Sequence, residues 1–503
     1  MSTIAFAAQE RRRAARQMSR FCGITLLGAG SLGGCAVGPD FSLPAPAASA
    51  GFPSQSLGNA GPDAPKQAAN LDAALPADWW RLFKSPALNG LVQQALANNW
   101  TLAAREAALA KSKERVTAAS AALYPSVDIG ASALETKIGA EAFGPDAQSF
   151  PIFAGYGVGP QVSYDVDIFG KTRRRVEQAS ALSENERLEL QAATLSLAGN
   201  VAIEAIEVAT LRRQLSVLGG IIRDDEENLR LVNGAIGAGA ETRADSLQAQ
   251  AQLDRDRGLV PSLRQRLDVA QDALAILIGK SPSDWSAPTF ELADFELPPT
   301  VPSTIPSRIV RDRPDIRAAE ARLHAASAAI GVATADLYPK LNLSASVAEQ
   351  GLFGGPAGPA WQVLGGLTEP LFHGGALKAG QRAAEDDYQA SLATYQQIVV
   401  SALGQVADQL HGLQHDADTY QANDRALESA RSALGLARSG YLAGAIGVVQ
   451  LLEAGRLAQE AELEEVSTAG RRYTDTVKLF LAVGPSQPVP EKASGAVASL
   501  PGA

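Results

Sequence analysis

Twice along the chain, a helical spacing of apolar residues gives way at a proline to strict alternation. The first switch reads LYPSVDIGASA at 123–133 and the second LYPKLNLSASV at 337–347. Proline lacks the N–H and restricts the residue before it, so each helix is predicted to end at Tyr-Pro. Beyond the first, Val127, Ile129, Ala131 and Ala133 alternate with Ser126, Asp128, Gly130 and Ser132. Beyond the second, Leu341, Leu343, Ala345 and Val347 alternate with Asn342, Ser344 and Ser346. A period of two predicts strands with one apolar and one small polar face. Return strands follow Gly/Pro-rich loops at 137–157 and 350–360. In the first, Val162, Tyr164, Val166 and Ile168 alternate with Gln161, Ser163, Asp165 and Asp167; the second, Trp361 to Phe372, is less regular.

After each hairpin the period lengthens again. No proline occurs between Thr172 and Val232, and about 60 residues of helix would reach ~90 Å. Leu190, Leu197, Leu211 and Leu218 keep a seven-residue grid with Glu204 as the exception, which is coiled-coil spacing. The glycines at 234–239 are predicted to turn the chain. A return helix then runs from Asp245 to Gly279, interrupted at Pro261.

The two halves match beyond the switch. AAREAALAKSKERVTAASAALYP at 103–125 is echoed by PDIRAAEARLHAASAAIGVATADLYP at 314–339, with Glu106 over Glu320 and Leu109 over Leu323. Gly239 falls over Gly444, and Ala249 over Ala454. The chain is therefore a duplication, with repeats at 76–279 and 306–484, each too long for a solenoid unit. The proline-rich crossover at 280–305 cannot be a helix. A Pro/Ala/Gly/Ser-rich stretch at 35–75 reads as an extended linker, and 485–503 as a flexible tail.

Composition narrows the picture. With 46% hydrophobic and 19% charged residues the chain is a folded protein, and with only 6% aromatics and abundant alanine it favours helices packed through small side chains. Its two cysteines and two methionines all lie within the first 35 residues, so the body has no soft-metal ligands. RRRAARQMSR at 11–20 precedes an apolar run of about a dozen residues, too short to span a membrane. That order is a secretory signal peptide at 1–34, starting at Met1 or Met18. Leu32-Gly33-Gly34-Cys35 has the form of a lipobox, whose small residues admit a signal peptidase and whose thiol accepts a diacylglycerol. Residue 36 is Ala rather than the Asp of an inner-membrane retention signal, so the expected address is the outer membrane, lipid-anchored and extending into the periplasm. Cleavage removes five arginines and one glutamate and leaves 39 basic and 53 acidic residues, a net charge of −14, which argues against a nucleic-acid partner.

Alternating strands of about ten residues fit both a soluble half-buried sheet and a membrane β-barrel. The lipobox favours the barrel. Four strands cannot close one, and an open edge in lipid leaves backbone groups unpaired at a cost of several kcal/mol each. Two chains would give eight strands around a filled interior, and three would give twelve around a passage.

GCAVGPDF at 34–41, DWWRLFKSPALNGLVQQALANN at 78–99, the two LYP strands and RDRPDIRAAEARL at 311–323 resemble the outer-membrane factor (TolC-like) family, in particular its lipoprotein branch serving resistance-nodulation-division efflux systems. The resemblance implies an α+β fold: two structural repeats whose long antiparallel coiled-coil helices form an α-barrel, with four membrane β-strands per chain and a twelve-stranded barrel as a trimer. It implies a passive exit duct for drugs or other small toxic compounds, served by a periplasmic adaptor protein and an inner-membrane pump. It also implies a periplasmic gate. Where the family often carries two acids three apart, this chain has Gln450 and Glu453. Tyr441 matches a latch tyrosine of some members, Asp254 falls at its acidic partner, and Ile446 stands where the matching arginine would be. Gly239 and Gly444 mark the expected adaptor-docking turns.

Other chemistry is thin. His411 and His415 are one helical turn apart, but lack the glutamate of a His-Glu-x-x-His motif and a third ligand. Gly375 and Gly380 have phosphate-loop spacing, but Gln381 replaces the lysine. The expectation is a non-enzymatic protein with no cofactor other than a covalent lipid on Cys35. A lipid-anchored coiled-coil scaffold without a pore is the rival reading. Heavy-metal export and type I secretion share the channel architecture.

Overall fold

The computed structural model describes residues 36–44, 67–70, 75–137, 152–237, 239, 241–302, 309 and 311–485. The signal peptide, Cys35, most of the linker, the loop at 138–151 and nearly all of the tail lie outside the described residues. The chain forms two compact units. One comprises Met1–Leu43, Lys111–Ser183 and Ala321–Leu392, and the other Pro44–Ala110, Glu184–Glu320 and Ala393–Ala503. Each unit draws on both repeats.

In chain order the elements are β1 (Ala68–Asn70), α1 (Pro86–Asn98), α2 (Trp100–Ala121), β2 (Ser126–Thr136), β3 (Phe153–Val166), α3 (Lys171–Gly237), α4 (Arg243–Leu277), β4 (Thr300–Pro302), α5 (Pro314–Ala335), β5 (Lys340–Leu352), β6 (Ala357–Thr368), α6 (Ala376–Leu442) and α7 (Val448–Val483).

The strand unit holds one four-stranded antiparallel sheet in the order β2-β3-β5-β6. Strands of 11, 14, 13 and 12 residues suit a tilted membrane span of about 9–11 residues. The register lines up Ile129, Val158, Val162, Val347 and Val363 on one mainly apolar face, which also carries Glu135 and Glu349. That face is bare: Ile129 is 82% and Trp361 77% exposed. The other face aligns Asp128, Gln161, Ser346 and Gln362 in one row across all four strands. It is laced by a Ser126–Ser163 hydroxyl contact at 3.0 Å and by Asn342 Nδ2 donating to Asp165 Oδ1 at 2.8 Å. β3 ends at Val166, so Ile168 does not continue the alternation. Asp167 instead accepts the free amides of Thr172 and Arg173 at 2.9 and 3.0 Å and starts α3. Likewise, β6 stops at Thr368, short of Phe372.

The helical unit gathers several of its aromatics in one core. Trp79 packs edge-on to Phe83 and Phe480, and Phe83 and Phe295 pack against Tyr473. The Tyr473 hydroxyl donates to the Phe295 carbonyl at 2.9 Å, so the half-buried ring has its polar end satisfied. Small residues set the helix spacing, as the alanine content implied. A Cβ on Gly470 of α7 would lie 2.4 Å from Thr210 Oγ1 of α3, and one on Gly199 would lie 2.4 Å from Leu481. Arg313, in the RDRPDIR stretch, is buried; its Nη1 donates to the Ala482 carbonyl at 2.5 Å, which satisfies the end of α7.

Three further expectations change. α3 continues to Gly237, so Gly234 and Gly237 are helical and the turn is made later. Pro261 lies inside an unbroken α4. The helix survives because Val260 and Leu263 on either side pack on the buried cluster Val217, Leu218, Ile221 and Val466, and burial outweighs one lost backbone bond. The linker's end is not wholly extended coil: Ala68–Asn70 pairs in parallel with Thr300–Pro302 of the crossover.

Candidate functional site

The sequence-predicted gate and docking residues collect in the helical unit, around the α3–α4 and α6–α7 turns. Gly239 and Gly444 sit at φ +78° and +69°, the left-handed conformation that lets a helix end and reverse. The Gly444 amide donates to the Tyr441 carbonyl at 2.9 Å and the Ala445 amide to the Gly440 carbonyl at 2.8 Å. Among the described residues nothing lies within 4 Å of a Cβ built on either turn glycine, so both turns are open. Ile446, standing where an arginine was sought, lies 3.5 Å from a Cβ built on Gly440 and closes the turn by apolar contact. On the other turn Thr242 and Asp245 form a reciprocal cap, with the Thr242 amide donating to Asp245 Oδ2 at 2.9 Å.

Tyr441 and Asp254 are not brought together within the protomer. Asp254 is exposed beside Arg257 at 3.8 Å, and Arg257 reaches Glu226 at 2.6 Å. Tyr441 faces Glu241 from the opposite turn. Its hydroxyl is buried without a hydrogen bond of ordinary geometry among the described residues. Burial, then the nearby Glu241 carboxylate, pushes its pKa up. Glu241 immediately precedes the capping threonine, and the E-T-x-x-D pattern was the available signal for it.

Gln450 and Glu453 are exposed on the first turns of α7. They line an open groove of about 930 Å³ between α6 and α7, with Ala430, Ala433, Leu457 and Glu460. Arg456 bridges the acidic side chains, 2.6 Å from Glu453 and 2.5 Å from Glu460. The hydrogen bond from Arg456 holds the Glu453 carboxyl below its ordinary pKa, so it stays charged.

Sequence reasoning missed a buried acid pair joining α3, α4 and α7. Asp225 and Asp256 are 7% and 5% exposed. Gln252 and Gln459 donate to Asp256 Oδ2 at 2.8 and 3.1 Å. Burial, then the adjoining Asp256, pushes Asp225 up to about 8, so Asp225 holds a proton at neutral pH. No periodic signal marks such a pair.

Outside this region, His411 and His415 are both exposed on α6. Gly375, at φ +88°, turns the chain into α6, and Gly380 lies within that helix.

Each repeat thus carries one hairpin of membrane length and one pair of long helices. The description "Outer membrane efflux protein" matches residues 91–280 and 305–485. The chain belongs to the outer membrane efflux protein family. This efflux protein is 30% identical over 429 residues to the pyoverdine export outer membrane protein OpmQ of Pseudomonas putida, covering 83% of this chain and 90% of that one. It is 27% identical over 417 residues to the probable outer membrane lipoprotein SilC of Salmonella typhimurium, covering 81% and 87%. The solved outer-membrane channel OprN matches with a TM-score of 0.81 and 27% identity, over 90% of this chain and 99% of that one. The efflux protein thus has the TolC-like helical-barrel fold, resides in the outer membrane and is an exit duct of tripartite efflux systems. Its relatives are channel and export proteins rather than enzymes.

Proposed function

We propose that three copies of this chain form a passive duct that carries drugs or other small toxic compounds outward from a periplasmic adaptor and an inner-membrane resistance-nodulation-division pump. The observation that carries the reading is the sheet. It has one exposed, mainly apolar face and one polar face, and among the described residues its two edges, β2 and β6, are unpaired. Such a sheet is stable in lipid only when its edges pair with further copies. Three copies supply twelve strands, enough for a water-filled passage. The polar row through Asp128, Gln161, Ser346 and Gln362 would line it.

Lipidation at Cys35 adds an anchor in outer-membrane lipid, and SilC is a relative described as a lipoprotein. OpmQ is described as exporting pyoverdine, which agrees with a small-molecule cargo. The open turns at Gly239 and Gly444 would meet the adaptor. Three copies of Glu453, with Gln450 and Tyr441 beside the same turns and Asp254 further along α4, would narrow the periplasmic entrance and favour cations.

The test is reconstitution of the purified full-length protein in planar bilayers, together with deletion in cells. Ohmic ion conduction and heightened sensitivity to small organic toxicants on deletion are expected. An oligomer that never conducts would refute the duct and favour a lipid-anchored scaffold. Sensitivity confined to metal salts would move the cargo to heavy-metal export.

A further inference from the structure

Residues 36–41, AVGPDF, are docked rather than merely tethered to the strand unit. The Val37 amide donates to the Phe169 carbonyl at 3.1 Å, at the point where β3 hands over to α3. Arg174, with a side chain only 6% exposed, closes over the segment. Its Nε and Nη2 donate to the Val37 and Gly38 carbonyls, both at 3.3 Å, and Nη2 also reaches Asp40 Oδ1 at 2.8 Å. Its Nη1 holds Glu177 Oε2 at 2.7 Å. The other Glu177 oxygen lies 2.9 Å from His324 Nε2, and the His324 ring stacks on Phe41 at 4.5 Å.

Three glycines shape the seat. Gly38 sits at φ +94°, and a Cβ there would lie 2.4 Å from the Gly331 Cα. A Cβ on Gly331 would meet the Arg174 Cγ at 2.8 Å, and one on Gly170 would meet the Ala36 Cβ at 2.6 Å. Backbone is pressed on backbone, under a buried guanidinium that makes four hydrogen bonds. A lipid tether needs none of this, since a flexible linker would serve.

We propose that AVGPDF is a strap whose seat, built by Gly170, Arg174, Gly331 and His324, holds the acylated end of the chain at the base of the sheet, so that acyl chains and strands enter the membrane as one body. This rests on acylation of Cys35, the residue bonded to the seated Ala36. Arg174 is then a positioning residue for insertion and assembly, and contributes nothing to acylation itself.

The experiment compares full-length wild type, Arg174→Met and the exposed same-helix control Arg175→Met. Three quantities are read: labelled palmitate incorporation, hydrogen exchange of the 36–41 amides, and the yield of heat-modifiable oligomer in the outer membrane. Arg174→Met is expected to take up palmitate as wild type does, to exchange its strap amides at least tenfold faster, and to lose at least threefold in oligomer yield. Arg175→Met should match wild type. Because Arg174 lies in a helix wall, the strap-only variant Asp40→Asn/Phe41→Ala is read beside it and should show the same split. Wild-type oligomer yield in a strap variant whose amides exchange fast would overturn the seat while leaving acylation standing. Absence of palmitate on wild type would overturn acylation itself, and with it the lipid role of the strap.

Discussion

The internal repeat predicts how the open sheet edges meet. Ser126 faces Ser163 as Lys340 faces Thr368, at the same end of the two hairpins. β2 therefore corresponds to β5, and β3 to β6, position by position. The joint between hairpins pairs Val162 with Ala345 and Ser163 with Ser344. Carried onto the free edges, these pairs become Leu367 with Ala131 and Thr368 with Gly130 of the next copy. The joint runs from Gly155–Leu352 to Val166–Leu341. Several kcal/mol for each unpaired backbone group in hydrocarbon puts the cost of an open edge of that length at tens of kcal/mol, so the seam should be obligatory. Opposed Cβ atoms lie about 4.5–5.5 Å apart, close to the ~3.5–4.5 Å of a disulfide, whereas a slip of one residue puts the side chains on opposite faces. Leu367→Cys/Ala131→Cys should therefore give, on oxidation, a reducible ladder ending at three copies on a denaturing gel. Leu367→Cys/Ser132→Cys should give none. Equal cross-linking of both pairs would refute the register, and a ladder ending at two copies would refute the twelve-stranded count.

Three further outcomes follow from the helical unit. Asp225 binds its proton up to about pH 8 when folded but only to about pH 4 when unfolded. The folded state then holds more protons through that window, and stability falls as pH rises across it. Thermal denaturation should show Asp225→Asn losing less Tm than wild type between pH 5.5 and 8.5; parallel slopes would contradict a protonated Asp225. At Gly444, φ +69° with open space around it makes the cost of Ala purely conformational. Gly444→Ala should cost about 1 kcal/mol, seen as faster hydrogen exchange of the turn and unchanged exchange at Phe480. Glu453→Ala leaves Arg456 with Glu460 alone, so cation preference in a planar bilayer should drop; unchanged conductance and selectivity would remove Glu453 from the gate.

Much of the fold was legible because membrane strands and long helices both write their period directly into the chain. Side-chain alternation reports a strand's two faces, and Tyr-Pro reports the helix end before it. Boundaries were less legible. Asp167 ended one alternating run early by capping α3, and Pro261 failed to break α4 because Val260 and Leu263 pack against the core. At the candidate site the glycine turns were visible, because only a left-handed residue reverses a helix there. Tyr441 was also visible, but its acidic neighbour within the protomer is Glu241 rather than Asp254, a choice made by how two turns lie side by side.

By itself the sequence determined the duplication and the two strand hairpins, and it carried the expectation of a leader ending at Cys35 and of more than one chain. These are local or periodic properties, readable from spacing alone. Only the tertiary structure decided the row of polar residues across β2, β3, β5 and β6, the buried Asp225–Asp256 pair, and the seating of AVGPDF under Arg174. Each of those joins residues far apart in the chain. Their energies come from desolvation and close approach, which exist only after the helices and strands have packed.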